Sequence, residues 1–228
     1  MLPIGDDVRR WRRSIVTLLL IASNIIAFAY SIAVGFERVI LENGFKPIYL
    51  FELSRMETLF TSLFLHGDPA HLVGNMLFLF IFGRSVEDRF GPLQYFTLYM
   101  LSGVAGSLMH TASLLLLPPS TLATQLVTPL IGASGAISGV IGAYILLYPH
   151  AKILTLVPFY YIIVLRLPAR YFVLIWFIYQ LVIGAASLRQ PLTIAAWSHV
   201  GGFAVGAALS LVLKRLEQHY APLSIRSQ

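Results

Sequence analysis

The sequence predicts an all-α polytopic membrane protein: a bundle of six transmembrane helices with the N- and C-termini both cytoplasmic. Three observations carry that prediction. Of 228 residues, 57% are hydrophobic and only 11% are charged, with mean hydropathy +0.79. A soluble domain carries about 25% charged residues, so a soluble enzyme and a disordered chain are both excluded. The chain also divides into long runs without Asp, Glu, Lys or Arg. Finally, its basic residues segregate between alternate loops.

The boundaries follow in order. Residues 1–13 form a basic cytoplasmic segment with Arg9, Arg10, Arg12 and Arg13. Ser14 to Phe36 is uncharged for 23 residues, too long for a signal-peptide core and without a small-x-small cleavage site, so a retained first span is placed at 14–34. The loop Glu37–Asp68 mixes apolar and charged residues and is expected partly in the outer interface. The second span is placed at 69–83, with Pro69 suited to a first helical position. Phe90 to Ala151 has no charge over 62 residues, and Pro118-Pro119 and Pro129 divide it into spans at 92–117 and 130–148. Ile153–Leu165 has 13 residues with Pro158 inside. As a helix it would cover roughly 20 Å of a ~30 Å hydrocarbon core, so it is read as an interfacial connection. Spans at 171–188 and 193–213 and a cytoplasmic tail at 214–228 complete the membrane domain 14–213.

With the N-terminus inside, twelve Lys and Arg fall inside and four (Arg38, Lys46, Arg55, Arg189) fall outside, while the acids divide five and five. Lys and Arg set orientation, which supports this topology. The formal charge of +6 is spread over short clusters between apolar runs, a pattern of topology signals and not of a nucleic-acid-binding face. Cysteine is absent, which removes disulfides, thiolate metal sites and a cysteine nucleophile.

Polar side chains inside spans are costly and mark candidate sites. They are His71 and Asn75 in the second span, His110 in the third, Ser134 in the fourth and His199 in the sixth. The second, fourth and sixth helices all enter from outside, and His71, Asn75, Ser134 and His199 then lie within roughly 10 Å of the outer boundary. Ser134 sits in Gly132-Ala133-Ser134-Gly135 just after Pro129, near a helix start where free N–H groups favour a developing anion. Gly135–Gly139 and Gly202–Gly206 are GxxxG pairs that permit two backbones to approach closely.

These residue types suit acyl transfer. Ser134 is the candidate nucleophile and His199 the base that accepts its proton. The Ser134 N–H, the Asn75 amide and the His71 ring are candidate oxyanion donors. No carboxylate lies within a span, so a dyad is expected in place of a triad. Plainer readings stand beside this one. A membrane serine often bonds its own helix backbone, a lone histidine near an interface often bonds a neighbouring helix or snorkels, and GxxxG pairs often only pack helices. His110 is read as such glue, and His150 and His219 as boundary residues. Zinc held by His66, His71 and His199 is the sharp alternative, weakened by the lack of HExxH, of cysteine and of an intramembrane carboxylate.

At these positions the chain resembles the rhomboid family of intramembrane serine proteases, from about Ser14 to Leu213. The matching pieces are His66 with His71-Leu-Val-Gly-Asn75, Gly132-Ala-Ser134-Gly135, and His199-Val-Gly-Gly202-Phe-Ala-Val-Gly206. The resemblance implies a six-helix rhomboid-like bundle with Ser134 as nucleophile and His199 as base. It implies an oxyanion hole of Asn75, His71 and the Ser134 backbone, and His66, Gly132, Gly135, Gly202 and Gly206 in support. Glu87 and Gly91 fall where the family carries a structural turn. No metal or other cofactor is implied. Two departures are visible: there is no Trp-Arg pair in the first outer loop, and Ser138 stands where members commonly carry an aromatic that stacks on the histidine.

The expected activity is endopeptidase cleavage in or near transmembrane segments of substrate proteins. The expected location is the plasma or an inner membrane, with the site toward the outer face. Entry beside the fifth helix is expected, with Ser187–Trp197, interrupted by Arg189-Gln190-Pro191, as a cap. The rival is a non-catalytic rhomboid-like protein that binds membrane clients. A small transporter is disfavoured because the chain lacks internal repeats and midplane charges. Sequence leaves the oligomeric state open.

Overall fold

Carboxylates near one end of the bundle decide how the first elements are held. The computed structural model describes residues 1–158, 162–189 and 194–220. The chain opens with strand β1 (Leu2–Asp6) and helix α1 (Ile15–Val34). Glu87, distant in sequence, caps α1: it accepts from the backbone N–H groups of Val16 and Thr17 at 2.8 Å each and from the Thr17 hydroxyl at 2.7 Å. A buried carboxylate there satisfies donors that every helix start leaves open and complements its dipole. Asp88 accepts from the N–H groups of Trp11 and Arg12 at 2.8 and 2.5 Å.

After α1 come three short helices, α2 (Phe36–Asn43), α3 (Ile48–Glu52) and α4 (Thr58–Thr61), and a 3-10 turn at Ser62–Phe64. Phe45 is fully buried and bridges Leu130, so this segment folds onto the protein. The next helix outruns its expected end at Gly83. It continues from α5 (Pro69–Phe78) through a π turn (Leu79–Gly83) into α6 (Arg84–Phe90). Charges mark the expected end, but here the N-terminal segment binds Glu87 and Asp88, and the Arg84 guanidinium lies 4.5 Å over the Phe80 ring. The helix stops at Gly91, whose φ of +82° favours glycine.

Helices α7 (Pro92–Leu114), α8 (Pro119–Val127) and α9 (Ser134–Leu147) follow. The start of α9 is four residues later than expected from Leu130. Leu130 is held extended by its bridge to Phe45, and Gly132 has φ of +119°.

The all-α expectation fails in one place. Strands β2 (Lys152–Pro158) and β3 (Ile162–Pro168) join β1 in an antiparallel sheet of order β1-β2-β3. Period-2 burial of Ile153 and Thr155, with prolines at both hairpin ends, selects strand over helix. Thus the described residues of 153–165 lie in strands, and part of the basic 1–13 segment is a strand. Asp6 fastens that strand to the bundle: it pairs with Arg10 and accepts from the hydroxyls of Ser85 at 2.9 Å and Tyr144 at 3.0 Å.

Helices α10 (Ala169–Ser187) and α11 (Ala196–Tyr220) complete the fold. Parts of the expected connection (159–161), cap and sixth-span start (190–193) and tail (221–228) lie outside the described residues.

Among the described residues, four segments are long and apolar enough to cross a membrane: Ile15–Val34, Pro69–Phe90, Ala169–Ser187 and Ala196–Leu216. Two of the six expected spans differ for separable reasons. Hydroxyls lower the hydropathy of α7, and Tyr95, Tyr99, Ser102, Ser107 and Thr111 are all buried within the protein. Helix α9 has 14 residues, about 21 Å, short of the ~30 Å core. Every residue of α9 from Gly135 to Tyr144 is buried, which makes it the central helix.

Around α9 the backbones nearly touch. A Cβ on Gly202 would collide with the Gly135 carbonyl, one on Gly206 with the Gly139 backbone, and one on Gly139 with the Ser102 side chain. Helices α9 and α11 make the most extensive contact in the fold, followed by α7 with α11.

Removing the cap should show this tertiary dependence. Glu87→Ala is expected to cost about 1–3 kcal/mol by orphaning the donors of Val16 and Thr17, measured as a lowered thermal midpoint in detergent.

Candidate active site

The close α9–α11 approach sets the site. Ser134 is the first residue of α9, and His199 lies in the first turn of α11. The hydroxyl Oγ of Ser134 is 2.8 Å from Nε2 of His199. Nδ1 of His199 is 2.7 Å from Oε1 of Gln180 on α10. With the amide oxygen toward the ring, the matching tautomer has its proton on Nδ1, and Nε2 then accepts from Ser134. That is the arrangement in which an imidazole can take a hydroxyl proton.

Gly132 brings His71 to the same place. Its positive φ turns the chain into α9, and a Cβ there would lie 2.9 Å from Cε1 and 3.0 Å from Nε2 of His71. The Gly67 N–H donates to His71 Nδ1 at 3.4 Å, leaving Nε2 as the protonated donor. Asp68 caps α5 by accepting from the His71 N–H at 2.8 Å, with Pro69 at the first helical position. One turn on, Asn75 is 8% exposed, and its Nδ2 has no partner among the described residues. A buried donor without a partner is costly and is available to an arriving anion.

These groups line one cavity of about 640 Å³. Ser62, Ser107, Ser138 and Ser198 give it polar lining, and Phe78, Ile137, Ile141 and Trp176 an apolar side. The structure brings together Ser134, His199, His71 and Asn75. His66 stands behind them, buried, with its ring edge-on to His71 at 5.0 Å between centroids. His110 lines a separate narrow cleft with Ser113, Gln125 and Ser187. Gly135, Gly202 and Gly206 serve through the packing already described.

As for zinc, both ring nitrogens of His199 face protein partners. Among the described residues no three of His, Cys, Asp and Glu form a candidate metal cage.

Two site residues escaped the sequence reading, Gln180 and Trp176. The Trp176 ring lies 6.2 Å from His199, tilted by 34°. Ser138, in the position of the missing aromatic, donates to the Ser134 carbonyl at 2.6 Å instead. A signal for Gln180 existed: it is the one amide in the fifth apolar run, and such a group inside a membrane helix needs a partner.

Comparison with known proteins identifies the family. The Rhomboid domain family matches residues 53–216. The chain belongs to the rhomboid family. It is 44% identical over 96 residues to Rhomboid protein 1, mitochondrial, of Saccharomyces cerevisiae, covering 42% of this chain and 26% of that protein. It is 32% identical over 124 residues to RHOMBOID-like protein 12, mitochondrial, of Arabidopsis thaliana, covering 51% and 37%. With the Arabidopsis Rhomboid-like protein 16, chloroplastic, it is 29% identical over 178 residues, covering 72% and 53%. The chain thus spans between about a quarter and a half of the length of these relatives. It is a mostly helical rhomboid protein of the membrane. The family match begins at Leu53, so β1 and α1 precede it, although the resemblance in sequence was read from Ser14.

In this rhomboid protein, burial lowers the His66 pKa from 6.5 to about 4, aided by the nearby His71. The unfolded chain therefore binds more protons between about pH 6.5 and 4. The stabilising contribution of neutral His66 is full above that window and is lost as pH falls through it. His66→Gln is expected to show a smaller drop in thermal midpoint between pH 7 and pH 5 than the parent, measured side by side in detergent.

Proposed function

We propose that this rhomboid protein is an intramembrane serine endopeptidase that hydrolyses peptide bonds in or near transmembrane segments of other membrane proteins. The observation that carries the reading is the 2.8 Å Ser134–His199 hydrogen bond beside an unpartnered Asn75 amide in one cavity. The proposed topology has six crossings, counting α7 and the short α9, with both termini on the basic, cytoplasmic side. The cavity then opens toward the outer face of a plasma or inner membrane.

His199 Nε2 takes the Ser134 proton as Oγ attacks the substrate carbonyl carbon. The Ser134 N–H at the start of α9, His71 Nε2–H and Asn75 Nδ2–H receive the oxyanion, and the helix dipole adds to them. The carbon–nitrogen bond then breaks, and the departing amine takes the proton from His199. Water, deprotonated by the same ring, attacks the acyl-serine, and its collapse releases the acid and restores the Ser134 hydroxyl. Metal plays no part in these steps.

A helical substrate amide is hydrogen-bonded and shielded, so cleavage requires local unwinding. Segments with Gly, Pro or small residues near the outer interface should be preferred.

The test is cleavage of a reporter transmembrane substrate in liposomes with EDTA present. The parent and His110→Ala should cleave, while Ser134→Ala and His199→Ala should be inactive. Asn75→Ala should lower kcat by about 10- to 100-fold through loss of one oxyanion donor. Equal cleavage by Ser134→Ala would remove the dyad. Absence of cleavage by every variant across several substrates would favour a client-binding protein.

A further inference from the structure

We propose that Gln180 is a positioning residue of the reaction: its side-chain oxygen fixes the His199 proton on Nδ1, so that helix α10 completes a Ser134–His199–Gln180 hydrogen-bonded chain. The proposal rests on the protease reading above and extends it to a third helix.

Burial is the first argument. Only Ala169, Phe172, Val173, Gln180 and Gly184 are buried on α10, and Gln180 is the single amide among them at 4% exposure. A buried amide is costly unless it is bonded, and the Gln180 oxygen meets His199 Nδ1 at 2.7 Å.

Geometry is the second. Trp176 lies four residues before Gln180 and therefore on the same face of α10. It meets the His199 ring at 6.2 Å with a 34° tilt. One face of α10 thus holds the imidazole both by its edge and by its plane. Ser138, bonded to the Ser134 carbonyl, does neither.

Chemistry is the third. Neutral imidazole has one N–H, and an acceptor at Nδ1 keeps it there and leaves the Nε2 lone pair for Ser134. The other tautomer would point an N–H at the hydroxyl and have no lone pair with which to take its proton. An amide oxygen selects the productive tautomer without burying a charge, which a carboxylate would require.

The experiment uses the full chain in detergent micelles, labelled with ¹⁵N-histidine, in five forms: parent, Gln180→Leu, Gln180→Glu, Ser134→Ala and His199→Gln. The last assigns the His199 signals. The parent should show His199 protonated at Nδ1. Gln180→Leu should show a mixture of tautomers and a kcat about 10- to 100-fold lower, with KM within about twofold. Gln180→Glu keeps an acceptor of the same reach and should recover most of that loss, which separates positioning from general damage to the fold.

The proposal is overturned if the parent carries the proton on Nε2, if Gln180→Leu leaves either the tautomer or kcat unchanged, or if Gln180→Glu holds the proton on Nδ1 and is still as slow as Gln180→Leu. Failure of the protease reading looks different: Ser134→Ala would then behave as the parent does, and Gln180 would lose its catalytic role whatever the tautomer.

Discussion

The near-contact of two helix backbones is the constraint on which the rest of this molecule depends. Gly135 and Gly139 of α9 face Gly202 and Gly206 of α11 with no room for a methyl group. Only at that separation can a short serine side chain on one helix meet an imidazole on the other at 2.8 Å. Dispersion and close packing hold such an interface, because lipid offers no hydrophobic drive for helices to associate. Structural glycines and catalytic geometry are therefore one problem here, not two.

The opposite end of α9 is fastened by polar bonds. Tyr144 donates to Asp6 of β1, which also takes the Ser85 hydroxyl, while Glu87 and Asp88 bind the backbone around the start of α1. Buried carboxylates are expensive, and the buried ones, Asp6 and Glu87, are matched by several donors each. The result is a helix anchored by charge at one end and left open at the other, where its uncapped start faces the cavity. This division suits a site that must be rigid yet have free N–H groups.

The motifs were readable because each is local. His71 and Asn75 are one turn apart, Ser134 follows a glycine break, and His199 precedes a GxxxG pair. The rough positions of the four helices that are long and apolar enough to cross a membrane were also legible from uncharged runs, although Arg84 falsely ended the second. The sheet was missed because β1 pairs with β2 about 150 residues away in the chain, and because the short apolar runs of β2 and β3 fit a helix segment as well as a strand. Gln180 was missed for a related reason: a search for carboxylates passes over an amide, and its partnership with His199 exists only once α10 packs against α11. Glu87 was read as structural, but the helix that it caps was not evident, since its partners are backbone atoms.

The narrow buried stripe of α10 has a further meaning. With five buried positions in a helix of 19 residues, most of its surface is left to the acyl chains around it. Tilt of such a helix responds to bilayer thickness and to its interfacial anchors, at fractions of a kcal/mol per ångström of mismatch. The surrounding lipid is then a structural component in its own right, and a protein extracted into short-chain detergent has exchanged one wall of its cavity for a different solvent.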